Sequence, residues 1–302
     1  MLAILVSCII YSCLLSLICM GFTLQYTVMG VPNLAHTTIT FSATYASFTV
    51  TLLGLSPYLG VPIACAYCGA TSFLLYRFLA FLRNRGISLV GLMISTLVFD
   101  LIIYAIMNIY TELASRIFQV FAYMFALAEK DFAFMGLPGI FFVSVIAAFS
   151  LITAIHLILT KTKFGIAMRA VMENYSLSRI YGVDVDKVLS ISWLLVGGIA
   201  GIAGSLYPIW FGMDPMVSTR ILTAVFAGAI VGGLRSIYGA LLGGFIIGTT
   251  EILGTYGLSF VLGPGMWAYR SALPILVVSI ALLVMPNGLA GLIWDFRLRR
   301  KK

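Results

Sequence analysis

The sequence predicts an all-α, polytopic transmembrane helical bundle, because it is very apolar and carries charge-free stretches of membrane length. Of its 302 residues, 62% are hydrophobic and 9% are charged, whereas soluble domains are about half apolar and about a quarter charged. The first charged side chain is Arg77, and further uncharged stretches cover 132–160, 188–213 and 271–294. A helix that spans a bilayer needs about 20 mostly apolar residues, so these stretches are long enough to cross one.

Glycine, proline and charge clusters divide the chain into about eight to nine predicted spans. They are 4–28, 37–55, 59–81, 88–109, 138–160, 188–210, 220–234, 237–257 and 271–286. The seventh is short enough to be a re-entrant or broken helix. The first span has no basic segment before it and is predicted to be retained rather than cleaved. Without a linker or a polar domain, residues 1–302 are predicted to form one transmembrane domain.

The distribution of Lys and Arg predicts the orientation in the membrane. With Arg77, Arg83 and Arg85 in the cytoplasm and the spans alternating, 14 of the 18 Lys and Arg residues lie inside. The four outside are Arg116, Lys130, Arg220 and Arg270. Cytoplasmic loops carry an excess of Lys and Arg, so the N-terminus is predicted outside and the C-terminus in the cytoplasm. The basic tail 297–302 is predicted to touch anionic lipid headgroups, and the charge gives no reason to expect nucleic acid.

The long inner segment 161–187 is predicted to fold as helices rather than as a slack loop. An apolar stripe repeats there at helical spacing, formed by Phe164, Met168, Val171 and Tyr175. Ser176 is predicted to cap a second short helix, and Gly182 to end that helix in the left-handed conformation. The outer loop is predicted to cover about 110–137.

Small residues four apart predict close helix packing late in the chain. They recur in 197–204, 228–232 and 239–248, and the break at 233–236 between the last two stretches predicts a tight cytoplasmic turn. Cys65 and Cys68 have metal-ligand spacing, but no second pair or nearby His accompanies them. They are therefore predicted to be packing residues, and no metal site is expected.

Polar side chains inside predicted spans are candidate substrate-path residues, because burying them in lipid is expensive. Asn33 and His36 follow a Gly-Val-Pro break, and irregular backbone at membrane depth occurs where it lines a cavity or is buried in protein. A satisfied turn at the cytoplasmic interface is the alternative for this pair. Asp100 and Glu251 lie deep in their spans, and bonding to a neighbouring helix is as good an explanation for either as substrate contact. His156 is predicted to be a satisfied interface histidine.

Four motifs follow one another along nearly the whole chain, at 21–39, 164–188, 197–254 and 283–291. Matching positions in the first two are Gly30, Asn33, Ala35, His36, Gly165, Arg169, Ala170, Glu173, Asn174, Arg179, Gly182 and Val185. Together the motifs resemble the permease subunits of branched-chain amino acid ABC importers, a superfamily shared with urea and sugar permeases.

The resemblance implies a transport subunit without catalytic residues or cofactors, working by alternating access in the cell (inner or cytoplasmic) membrane. It implies four kinds of contact: a homologous permease chain, two cytoplasmic ATPase subunits, an extracytoplasmic substrate-binding protein and the lipid bilayer. The chain has no Gly-x-x-x-x-Gly-Lys-Ser/Thr phosphate loop, so ATP hydrolysis is expected on the partners. Segment 161–187 would be the ATPase-coupling loop, with Gly165, Arg169, Ala170, Glu173, Arg179 and Gly182 as its site residues.

Other functions stay open at this point. Thr37 and Thr38 stand where the family commonly has Gly-Glu, so a urea, short-amide or sugar permease is an alternative to one for branched-chain amino acids. A stand-alone channel or secondary transporter is a second alternative, against which the structured inner segment argues. An intramembrane enzyme is disfavoured because no paired catalytic Asp, Ser/His pair or His-Glu-x-x-His motif is present.

Overall fold

A computed structural model describes residues 1–285 and 288–291, and within them the predicted helical bundle is confirmed. The described chain contains twelve α-helices: α1 Leu2–Met29, α2 His36–Ser42, α3 Thr44–Leu52, α4 Gly60–Asn84, α5 Leu89–Phe118, α6 Gly139–Lys161, α7 Lys163–Glu173, α8 Tyr175–Ile180, α9 Val185–Leu206, α10 Val217–Gly232, α11 Ile237–Leu262 and α12 Ala272–Val284. Two-residue strands, β1 Ala133–Phe134 and β2 Leu137–Pro138, form a small hairpin. The basic tail 297–302 and Pro286 of the closing motif lie outside the described residues.

Seven stretches of the described chain are long and apolar enough to cross a bilayer. Six of them correspond to α1, α4, α5, α6, α9 and α11, and the seventh, Ala272–Gly291, begins with the 13-residue α12. The predicted span 220–234 is the shorter helix α10. The predicted span 37–55 is interrupted, because α2 ends at Ser42 and α3 begins at Thr44. Ser42 and Thr44 each donate a side-chain hydrogen bond to a carbonyl three residues back, at 2.7 Å, and such bonds bend helices.

Helix α1 lies at the centre of the bundle. Its residues between Val6 and Met29 are almost all buried, and it packs against α6, α9, α10 and α11. Helix α5, in contrast, exposes a row of large apolar side chains that includes Leu101, Ile102 and Ile109. Exposed apolar surface of this extent is typical of a protein that faces lipid or a partner. The described chain is therefore a multi-helical membrane bundle with α1 as its core and α5 at its edge.

The predicted close packing at small residues is confirmed at two helix pairs. A Cβ on Gly201 of α9 would overlap the Ala64 carbonyl of α4, and Gly232 of α10 and Gly239 of α11 face each other with equally little room. Cys68 lies in the first contact, buried, with its thiol 3.0 Å from the Ile39 carbonyl oxygen. This environment fits a packing residue.

The predicted tight turn between α10 and α11 is also confirmed. Gly233 has a φ of 99°, in the region that favours glycine. Ser236 then caps α11, because its hydroxyl accepts a hydrogen bond from the Gly239 amide at 3.0 Å.

The segment between α5 and α6 is anchored to the rest of the chain. It starts later than predicted, since α5 continues to Phe118. Phe125 and Met213 exchange two backbone hydrogen bonds of 3.1 and 2.8 Å, and the Leu127 amide donates to the Pro208 carbonyl at 2.7 Å. The Asp131 carboxylate accepts hydrogen bonds from the Tyr58 hydroxyl at 2.6 Å and from the Ile140 amide at 3.0 Å. The bonds to Met213 and Pro208 hold this segment against the chain at 207–213, which contributes to the wall of the cavity described below.

Candidate functional site

Two short helices, α7 and α8, form a folded element between α6 and α9. The Thr162 hydroxyl caps α7 by accepting from the Gly165 amide at 3.0 Å. Helix α8 is capped by Asn174, whose side-chain oxygen accepts from the Leu177 amide at 2.9 Å. The prediction that Ser176 is this cap is therefore wrong, since Ser176 lies inside α8. The predicted pair of helices within 161–187 is confirmed.

The apolar stripe of this element faces the bundle. Met168 and Val171 are buried and Phe164 is half-buried, and α7 packs against α1, α6 and α9. Tyr175 lies under the guanidinium of Arg83, with 4.4 Å between Cζ and the ring centroid. This packing holds α7 against three helices of the bundle.

Two glycines of this element are required by its geometry. A Cβ on Gly165 would overlap the backbone of Ile158 and Leu159, so a glycine lets the start of α7 fold back on the end of α6. Gly182 has a φ of 81°, and its amide donates to the Arg179 carbonyl while the Val183 amide donates to the Ser178 carbonyl, both at 3.1 Å. These two bonds form a Schellman motif, which confirms the predicted end of the second helix.

The outer face of α7 and α8 is exposed and amphipathic. Ile180 and Tyr181 expose 80% and 79% of their surface. Arg169, Glu173 and Arg179 are exposed beside them, and Ala170 is half-buried. A face that combines exposed apolar side chains with charges of both signs is suited to docking a protein partner.

Asn33 and His36 lie in the bend between α1 and α2, fully buried. The Asn33 amide group donates to the Gln25 side-chain oxygen at 2.9 Å, and its oxygen accepts from the Ala35 amide at 3.1 Å. The His36 Nε2 atom lies 3.1 Å from the Ile18 carbonyl oxygen, and the ring packs edge-on against Phe22. Both side chains thus find their partners within the chain. Their candidacy as path residues remains a prediction.

Asp100 and His156 lie at more open positions. Asp100 is half-buried on α5, a helix that packs against α2. The His156 Nδ1 atom lies 2.8 Å from the Tyr238 hydroxyl oxygen, a partner of the kind predicted for an interface histidine.

Glu251 belongs to a buried polar cluster with Tyr11 and Arg270. The Tyr11 hydroxyl donates to Oε2 of Glu251 at 2.8 Å, and Arg270 Nε donates to Oε1 at 2.6 Å. The Arg270 guanidinium also lies over the Tyr11 ring, with 4.4 Å between Cζ and the centroid. Burial disfavours the charge of Arg270, but Tyr11 and Glu251 act in the opposite direction, and the pKa of Arg270 is raised above its ordinary value.

This cluster borders an open cavity of about 340 Å³. Its lining combines charged groups with aromatic and apolar side chains, and includes Arg220, Arg270, Glu251, Tyr207, Phe211, Val217, Ile221 and Trp267. From the sequence, Arg220 and Arg270 are predicted only to lie on the outer side of the membrane. Glu251 is the one residue of this site that the sequence marks as a candidate. Tyr11 lies 240 residues from Glu251 along the chain, so the sequence does not show that the two side chains meet.

Comparisons with known proteins agree with this architecture. A family described as the permease component of branched-chain amino acid transport systems matches residues 4–285. The probable branched-chain amino acid transport permease protein LivH of Methanocaldococcus jannaschii is 40% identical over 287 residues, which cover 95% of this chain and 91% of that protein. The high-affinity branched-chain amino acid transport system permease protein LivH of Escherichia coli (strain K12) is 24% identical over 292 residues, 91% of either chain.

A solved structure shares the fold. It is described as PsaBC from Streptococcus pneumoniae in complex with Fab, and its matching chain superposes with a TM-score of 0.57 at 11% identity. The match covers 94% of this chain and 92% of the other. At this identity the likeness concerns the fold alone.

Proposed function

This chain belongs to the family of branched-chain amino acid transport permeases, and from that premise we propose that it forms half of the membrane path of an ATP-driven importer for branched-chain or related apolar amino acids. The transport subunit is not itself an enzyme, and a separate ATPase supplies the energy. The observation that carries the proposal is the folded element α7–α8. Each of its two helices has an N-cap, α7 packs on three helices of the bundle, and the outer face of the element is exposed.

We propose that α7–α8 is where the ATPase subunits bind. The exposed side chains of Ile180 and Tyr181 supply apolar contact area, and Arg169, Glu173 and Arg179 supply charges that fix the orientation of the partner. Because α7 is packed on α1, α6 and α9, a displacement of α7 moves these helices together. Two such chains, or this chain and a homologous permease, would enclose the path, with two ATPases below and a binding protein above.

The orientation is part of the proposal. Element α7–α8 and the Arg235 turn lie on the cytoplasmic side, and the anchored segment 119–138 lies on the opposite side of the cell membrane. The Lys and Arg distribution supports this arrangement. Residues 1–302 act as a single permease domain.

Of the four path candidates, Glu251 is best supported by its surroundings, because it lines an open cavity. Asp100 is half-buried at the edge of the bundle, where a second permease chain would contact it. Asn33 and His36 would act on the path indirectly, by holding the bend between α1 and α2.

The proposal is tested by measuring uptake in cells that express this chain together with its partner permease, ATPases and binding protein. We expect ATP-dependent accumulation of labelled leucine, but not of urea or ribose. The control carries the ATPase with its phosphate-loop lysine replaced, which should abolish accumulation. Uptake of urea or ribose in place of leucine would contradict the proposed substrate, and leucine uptake by this chain without an ATPase would contradict the importer class.

A further inference from the structure

The cavity beside Glu251 lies at the end of the bundle away from α7–α8. Helix α11 starts next to Arg235, which shares a pocket with Arg169 and Glu173 of α7. The 26 residues of α11 extend over about 39 Å at 1.5 Å per residue. Glu251 lies in the second half of this helix, and the lining segment 267–271 follows its far end. In the proposed orientation the cavity opens toward the side from which substrate arrives.

Two ion pairs supply the charges of this cavity. Arg270 pairs with Glu251, and Arg220 pairs with Asp214. Each arginine is more exposed than its partner: the Arg220 side chain exposes 54% against 17% for Asp214, and Arg270 22% against 6% for Glu251. Within the described part of the chain, Nε is the one nitrogen of Arg270 with a hydrogen-bonded acceptor. The other N–H groups of the two guanidinium groups are therefore available to donate hydrogen bonds to the carboxylate of a ligand.

The other walls are aromatic and apolar. The aromatic lining residues are Tyr207, Phe211 and Trp267, and the aliphatic ones include Val217 and Ile221. Aromatic faces attract an ammonium group, and apolar walls favour an aliphatic side chain. The volume, about 340 Å³, lies at the lower end of the usual range for small-molecule sites, which starts at about 300 Å³.

We propose that this cavity binds a zwitterionic, apolar amino acid, with Arg220 and Arg270 as ligands of its carboxylate, Trp267 near its ammonium group, and Val217 and Ile221 beside its side chain. The proposal rests on the proposed function and adds to it a substrate site within this chain. A zwitterion suits the cavity because each arginine already has an acidic partner, so a ligand without net charge leaves no charge uncompensated. Lysine or glutamate would bring an unpaired charge into a partly buried site, which is costly.

Binding of labelled L-leucine to the purified transporter complex, without binding protein or ATP, tests this site. We expect saturable binding to the complex with the unaltered chain. Arg220→Gln should weaken it about ten-fold, the loss of one charge-assisted hydrogen bond. Trp267→Ala should weaken it as well. L-Leucine methyl ester, which lacks the carboxylate, should compete at least about ten-fold less well than L-leucine, and L-lysine and L-glutamate should not compete.

Arg116→Gln is the matched control, because Arg116 is also predicted outside and pairs with an acid, Glu112, at 2.7 Å. It should bind leucine normally. Equal leucine binding by the Arg220→Gln and unaltered complexes would overturn the site, and so would absence of binding to an unaltered complex that imports leucine. If Arg220→Gln instead weakens only capture of the binding protein, the cavity is a docking surface and the proposal is wrong. Failure of the unaltered complex to import leucine at all would count against the proposed function.

Discussion

At Asn33 a single side chain joins the two sides of the bend between α1 and α2. Its oxygen accepts from the Ala35 amide and its nitrogen donates to Gln25, and nearby the His36 Nε2 atom lies within hydrogen-bonding distance of the Ile18 carbonyl. Buried polar groups need such partners, since an unpaired one costs about 1–3 kcal/mol. The sequence identifies these residues as unusual in a span, but it does not show which groups they contact.

We expect Asn33→Ala to destabilise the protein by about 1–3 kcal/mol, because it leaves Gln25 and the Ala35 amide without a partner. Leucine uptake should then fall in proportion to the amount of folded protein. The measurements are the thermal unfolding midpoint and uptake per folded transporter. Asn108→Ala is the control, since Asn108 bonds only a carbonyl of its own helix. A normal midpoint with lost uptake would instead place Asn33 on the substrate path.

Gly182 is required by its backbone conformation rather than by a lack of space. A Cβ at this position meets no atom within 4 Å, but φ is +81°. Left-handed backbone costs other residues about 1–2 kcal/mol. We expect Gly182→Ala to loosen the end of α8 and Gly182→Val, whose branched side chain is stiffer, to abolish uptake while the chain still inserts.

Limited proteolysis of 161–187 and uptake, both measured on the Gly182 variants, check this prediction. Gly257→Ala is the matched control: it too has open space around the added Cβ, but its backbone is helical. Alanine should be neutral or stabilising there. Unchanged proteolysis and uptake in Gly182→Val would show that the left-handed turn is dispensable.

At the level of elements, α7–α8 shows which local signals a sequence carries. The apolar period and the glycine at the end predict the two helices, and both features are present. The N-cap of α8 is Asn174 rather than the predicted Ser176. Asn and Ser are nearly equal as caps, so the cap residue depends on where the packing ends α7. Burial of Met168 and Val171 against the bundle brings the break to Asn174.

Ala170→Trp tests the docking role of this element. Ala170 is half-buried at the edge of the exposed face, so an indole there would hold the ATPase away from α7. We expect ATPase co-purification and uptake to fall at least about ten-fold, the effect of losing a central contact in an interface, while the permease still inserts. Ala128→Trp, on an exposed turn of the opposite side, should change neither. If the basic residues of α7–α8 serve only to set the orientation in the membrane, Ala170→Trp would behave like this control.

For the whole molecule, the sequence predicts the helices far better than the contacts between them. Charge-free length identifies the long spans. The break between α2 and α3 escapes prediction because Thr and Ser are tolerated in transmembrane helices, and their bonds to nearby carbonyls become visible only in the structure. The cavity escapes it because Tyr11 lies 240 residues from Glu251 along the chain, and periodicity carries no signal over such a separation.

The orientation of the whole bundle is predicted from the 14 Lys and Arg residues on one side, and thiol labelling tests it. A membrane-impermeant maleimide should label Glu129→Cys in intact cells, because Glu129 is exposed between α5 and α6. Ser176→Cys, exposed on α8, should be labelled only after the membrane is opened. The unaltered chain is the background control, since four of its five cysteines are buried. Labelling of Ser176→Cys in intact cells would overturn the orientation, and with it the assignment of α7–α8 to the ATPases, because ATP is hydrolysed in the cytoplasm.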